Sequence, residues 1–133
     1  MGGGRALSDF TTTHLISALE KNSQAFSLLA FEGDKAVGLV NCFMGFSTFK
    51  CQPLVNIHDV VVESSSRGNN VSQLMLAKVE EIAQEKGCCK ITLEVLEGNT
   101  VAQNAYKKFG FAGYELDAAM GKALFWEKVI GSE

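Results

Sequence analysis

Several things are scarce in this chain, and each scarcity excludes something. A single proline in 133 residues, beside the hydrophobic content, argues for compact folding and against disorder. The four cysteines, Cys42, Cys51, Cys88 and Cys89, form no C-x-x-C pair, which argues against a zinc site. Cys88 and Cys89 are adjacent, so on an extended strand they would point to opposite faces. They read as reduced, partly buried thiols of a cytoplasmic protein, and no metal is expected. Cations are also few: Lys and Arg number 12 against 15 Asp and Glu, a net charge of −3. Nucleic acid is therefore an improbable partner, because a phosphate backbone calls for a concentrated basic face. No run approaches the roughly 20 apolar residues of a membrane span, and no signal-peptide pattern opens the chain.

What remains is a chain 47% hydrophobic, of single-domain length and able to bury a core. After the glycine-rich start "MGGGRA", Leu7, Phe10, Leu15, Ala18 and Leu19 recur at helical spacing, with Ser8 or Asp9 as cap. Residues 25–31 and 36–46 predict two strands joined by the turn "EGDK". In "PLVNIHDVVVE", Leu54, Asn56, His58, Val60 and Val62 alternate with Val55, Ile57, Asp59, Val61 and Glu63, predicting a third strand. A helix from Val71 ends near Lys86-Gly87, and residues 89–95 alternate as a further strand. Strand, helix and strand in about 40 residues form a crossover unit, so these two strands should be parallel. Asn99 caps a last helix, and 109–116 and 122–130 predict closing strands with Trp126 in the core. The expected class is α/β (α+β), a mixed sheet with a parallel β-α-β core.

Two motifs carry the chemistry. In "SSSRGNNVSQLM" a strand leads through Arg67, Gly68, Asn69 and Asn70 into a helix beginning Val71-Ser72. A loop-to-helix turn presents unpaired N–H groups and a positive dipole end, suited to a pyrophosphate; the plain alternative is a solvated cap. The second motif is Asn99-x-x-Ala102-x-x-x-Tyr106-x-x-x-Gly110-Phe111. Tyr106 read alone is a helix tyrosine packing in a core.

Together, in this order and over about residues 24–130, the motifs resemble the GNAT superfamily of acetyl-CoA-dependent N-acetyltransferases. The resemblance implies acetyl-CoA as cofactor and a splayed pair of parallel strands admitting the thioester. It implies that the backbone of Val60, Val61 and Val62 hydrogen-bonds the pantetheine arm, with Asn99 a further contact. It also implies that Tyr106 protonates the departing thiolate. Asn70 and Ser72 stand where the family pattern has glycine and glycine or alanine; asparagine tolerates the left-handed backbone such a turn needs. The general base is open among Asp59, His58, Glu94, Glu97 and Glu63, with Asp59 placed in the catalytic set. His58 and Asp59, as strand neighbours, are expected to face opposite ways. The strand and helix with which the family usually begins have no counterpart before Leu7, so the resemblance implies a shortened member. The exposed edge strand this leaves suggests a homodimer. The reading is transfer of acetyl to a small-molecule amine; the rival is a non-catalytic CoA-binding module of the same fold.

Overall fold

The computed structural model describes residues 7–68, 70–113, 119–121 and 123–131. Helix α1 (Asp9–Glu20) is started by Ser8, whose Oγ accepts the Thr11 N–H at 3.2 Å. Strands β1 (Ala25–Glu32) and β2 (Lys35–Ser47) form the expected antiparallel hairpin. Strand β3 (Gln52–Val62) pairs antiparallel with β2 and parallel with β4 (Ile91–Leu93). A 3-10 turn (Ser64–Ser66) leads to α2 (Val71–Glu85), and α3 (Thr100–Phe109) follows β4. The sheet runs β1-β2-β3-β4.

The core lies between one face of the sheet and α2. Val71, Met75, Leu76, Val79 and Ala83 recur at helical spacing and are buried. They meet Val40 and Cys42 of β2 and Val55 and Ile57 of β3, with Phe26 and Leu28 of β1 against the same cluster. Each such aliphatic side chain contributes about 1.5–3 kcal/mol by leaving water. Helix and sheet approach closely at Gly38, where a Cβ would stand 2.9 Å from Met75 Sδ and 3.0 Å from Val71 Cγ1. Helix α2 ends as its sequence requires: Lys86 is its C-cap and Gly87 takes a φ of 73°.

Helix α1 forms as expected, with no buried residue; Phe10 is 71% exposed. Three expectations need correction. Strand β4 has three residues instead of seven, because Cys89 lies on a bend and the ladder to β3 ends at Ile57–Leu93. The closing strands do not appear among the described residues. Phe109 ends α3, Gly110 caps it, 111–113 are irregular, and 114–118 and Lys122 lie outside the described residues. Residues 123–130 are not paired as a strand, and Trp126, expected in the core, is 81% exposed.

The third correction concerns β3. Asn41 stands opposite Asp59 and Cys42 opposite Ile57, so His58 is an extra residue with no counterpart on β2. Such a bulge breaks the two-residue alternation. The core-facing set is Val55, Ile57, Val60 and Val62, not one unbroken series. Asp59 therefore does not share a face with Ile57. His58 is exposed, its ring edge-on to Phe43 at 5.4 Å, while Asp59 bonds Asn41; Phe43 and Asn41 are two residues apart on β2. His58 and Asp59 thus project from the same face, the one opposite α2.

Candidate active site

The loop before α2 is pinned at its base. Ser66 is buried and donates its hydroxyl to Glu32 Oε1 at 2.9 Å, joining the 3-10 turn to the end of β1. Glu63 follows β3, its carboxylate 3.6 Å from Lys35 Nζ. Arg67 and Gly68 follow, both exposed, and Gly68 has a φ of 92°, which glycine adopts without strain. A Cβ there would meet nothing within 4 Å, so the space over the turn is open. Asn69 lies outside the described residues. Asn70 is the N-cap of α2 with φ 62° and ψ 18°, the left-handed conformation, and its side chain makes no cap hydrogen bond. It holds the backbone shape a glycine would take. The first helical bond runs from the Leu74 N–H to the Asn70 carbonyl at 3.0 Å. The N–H groups of Val71, Ser72 and Gln73 precede that bond, at the positive end of the helix dipole. Val71 is buried as an anchor and Ser72 is half-buried. A cationic side chain, an open glycine and a helix N-terminus suit a pyrophosphate.

Beside this cradle the sheet opens. Strands β3 and β4 pair only from Val55–Ile91 to Ile57–Leu93, yet β3 continues to Val62. Beyond Ile57, among the described residues, no strand pairs with β3 on that side. The bulge at His58 falls where the ladder ends. The backbone of Val60, Val61 and Val62 thus lines one wall of a wedge; Val60 and Val62 pack toward the core, and Val61 is exposed on the other face. This is the geometry into which an extended ligand can add like a strand.

On the face away from α2, a polar chain crosses three strands. The Ser27 hydroxyl donates to Asn41 Oδ1 at 2.7 Å, and Asn41 Nδ2 donates to Asp59 Oδ2 at 3.0 Å. Asn41 is only 9% exposed, and with both ends engaged its amide has one orientation. Sequence reasoning missed Asn41 and Ser27. The available signal was a lone amide in the apolar run "AVGLVNCFMGF". Of the other candidate bases, Glu94 is exposed with Oε2 3.4 Å from Asn56 Nδ2, and Glu97 is exposed with its carbonyl accepting from Gln103.

Helix α3 closes the site from the α2 side. Asn99 caps it, its Oδ1 accepting the Ala102 N–H at 3.1 Å, and Gly110 ends it with φ 119°. Gln73, on the first turn of α2, donates to the Ala105 carbonyl at 2.9 Å and so fixes α3 to the loop. No sequence signal marked Gln73 for this. The adjacent Tyr106 is half-buried and edge-on to Phe111 at 5.9 Å. It lines a cleft of about 730 Å³ along β4 with Leu93 and Val95. Burial pushes the phenol above its usual 10, because phenolate is the form that suffers in a drier place. Tyr106 packs against the core cluster while Asp59 stands on the opposite face, so the two flank the sheet where β3 and β4 part.

A mixed four-stranded sheet with three helices, its parallel strands parting beside a helix N-terminus, matches the fold of a solved probable acetyltransferase, with a TM-score of 0.79 at 17% identity. The chain belongs to the acetyltransferase (GNAT) family, whose model matches residues 5–111. It is 32% identical to bovine (Bos taurus) thialysine N-epsilon-acetyltransferase over 79 residues, covering 59% of this chain and 46% of that protein. It is 28% identical to streptothricin acetyltransferase of Streptomyces lavendulae over 101 residues, covering 76% of this chain and 51% of that one. The chain thus spans about half the length of these curated relatives. The fold matches that of AAC(6')-Iy in complex with a CoA-linked bisubstrate analogue, with a TM-score of 0.78 at 19% identity, over 96% of this chain and 84% of that one.

Proposed function

We propose that this chain transfers an acetyl group from acetyl-CoA to a primary amine of a small molecule, by direct attack in a ternary complex. The observation that carries the reading is the wedge. Strand β3 outruns its parallel partner beside α2, with a proton donor on one face of the sheet and a carboxylate on the other. The relatives support the substrate class, since their names are those of acetyltransferases of thialysine and streptothricin.

Acetyl-CoA, when bound, supplies an activated acyl carbon and a thiolate leaving group. Arg67, Gly68 and the N–H groups of residues 70–72 hold the pyrophosphate. The backbone of 60–62 holds the pantetheine amides, with Asn99 at the far side. Asp59 accepts the proton that an arriving ammonium must lose, its orientation set by Asn41. Tyr106, protonated at neutral pH, donates to the sulfur as charge gathers there. In the same reading a second copy covers β1, the outer strand of the described sheet, where Leu29 and Phe31 are each 58% exposed. A monomeric mass by light scattering at micromolar concentration counts against that dimer.

The test is thiol release from acetyl-CoA with a panel of primary amines. Tyr106→Phe is expected to slow turnover about 10²–10⁴-fold, the usual worth of a general acid, while CoA affinity stays unchanged. A chain that binds CoA yet turns over no amine is instead the non-catalytic module, a rival favoured by Asn70 and Ser72 standing where the family pattern has glycine and glycine or alanine.

A further inference from the structure

The connection between α2 and β4 carries two thiols with no part in acetyl transfer. On a strand, Cys88 and Cys89 would point apart, but β4 does not begin until Ile91 and the chain bends at Cys89. Both positions are held by the backbone: the Cys88 N–H donates to the Ala83 carbonyl at 2.9 Å, and the Cys89 N–H to the Pro53 carbonyl at 2.9 Å. Both residues are half-buried, and both line one cleft of about 340 Å³ between the end of α2 (Ala83, Gln84) and the end of α3 (Phe109, Gly110). We propose that Cys88 and Cys89 form a dithiol site for trivalent arsenicals, soft Lewis acids that bind two sulfurs at once.

Three observations favour this ligand class. Two soft sulfur donors in one recess suit a thiophilic centre of low coordination number, and among the described residues no third His, Cys, Asp or Glu completes a site for a metal ion that wants more ligands. Cys89 also lies close enough to act on Cys88. Burial raises Cys88 first, the neighbouring Cys89 raises it further, and Lys86 offsets part of that. Finally, the cleft offers apolar walls, Phe109 and Phe111, for an aryl substituent on arsenic. The other cysteines are apart from this place: Cys42 is buried in the sheet and Cys51 is exposed on the turn before β3.

The chemistry balances without an oxidant. With phenylarsine oxide, two As–S bonds form and the As=O bond breaks. The oxygen leaves as water carrying both thiol protons, and arsenic remains trivalent. Holding one arsenic by two linked thiols makes the second bond intramolecular, so a competing monothiol displaces it poorly while a dithiol competes on equal terms.

The experiment uses the reduced full chain and one equivalent of phenylarsine oxide, read by intact mass. The expected result is one phenylarsenic group per chain, retained through a 2-mercaptoethanol wash and released by dithiothreitol. Cys88→Ser and Cys89→Ser should each lose that retention by at least about tenfold, and Cys51→Ser should keep it. Circular dichroism checks that the variants fold, and proteolytic mapping of the wild-type adduct to the peptide holding 88 and 89 stands independently of them. Three results each overturn the proposal: release of the wild-type adduct by monothiol, full retention in a single-thiol variant of the pair, or uptake only after unfolding in urea. All are read without acetyl transfer, so they do not depend on the catalytic reading.

Discussion

Asn70 is the residue at which the cofactor reading is most exposed to test. Its φ of 62° and ψ of 18° lie in the left-handed region, and its side chain makes no cap hydrogen bond to α2. An ordinary L-residue loses about 1–2 kcal/mol there, and asparagine less. Asn70→Gly relieves the small remaining strain but adds unfolded-state freedom worth about 0.4–1 kcal/mol. The two effects oppose, so the net change should stay within about 0.5 kcal/mol. Asn70→Val places a β-branched side chain in the same backbone and should cost about 1–2 kcal/mol. Urea unfolding measures both. CoA titration calorimetry measures the consequence. If the turn already has its working shape, Asn70→Gly should leave CoA affinity within about threefold, roughly 0.65 kcal/mol, while Asn70→Val should lose about tenfold or more. A tenfold gain in Asn70→Gly would refute the argument, showing that the asparagine side chain crowds the phosphate. An undamaged Asn70→Val would refute the conformational premise.

Asp59→Asn should reduce turnover about 10²–10⁴-fold at unchanged CoA affinity, in the thiol-release and calorimetric assays together. Asn41→Leu removes the amide linking Ser27 to Asp59 and should lower stability by about 1–3 kcal/mol in urea, with a further loss of turnover. Cys42 is pushed up from 9.0 to about 12 by burial, so the unfolded chain loses this proton first as pH rises. Stability should therefore fall by about 1.4 kcal/mol per unit between pH 9 and 12, and a Cys42→Ala melt series should show that slope reduced. Tyr106, also raised, adds a loss of the same sign only above pH 10. Leu76→Ala, at a site 1% exposed, should cost about 2–5 kcal/mol by denaturant titration.

Much of the scaffold could be read from residue pattern because its determinants are local. Ser8, Asn99 and Gly87 act at helix ends through their own side chains or backbone freedom, so the caps are visible in a short window. The β1–β2 hairpin and α2 likewise follow from period and turn chemistry. What escaped depends on partners distant in sequence. The bulge at His58 fits plain alternation when β3 is seen alone; only its register against β2 shows the extra residue. The apolar stripe of α1 predicts its helix, but whether anything covers that stripe is not legible in it. For the site, the two motifs marked residues 67–72 and Tyr106, but the Gln73 bond that joins them spans 32 positions. Asn41 and Asp59 are 18 apart, too far for any local pattern to pair them.

The bulge also bears on which mutations this strand can absorb. On either side of His58, substitutions are judged by ordinary inside–outside rules, and several apolar exchanges at Val55 or Val60 would be interchangeable. A change of length is different. Deleting His58 would leave Ile57, Val60 and Val62 toward the core and Asp59 away from it, so the faces survive and what is lost is the irregularity where the ladder to β4 ends. Drift in length along β3 is therefore expected to be absorbed at the bulge and resisted elsewhere in the strand, where one residue gained or lost moves the side chains beyond it to the other face.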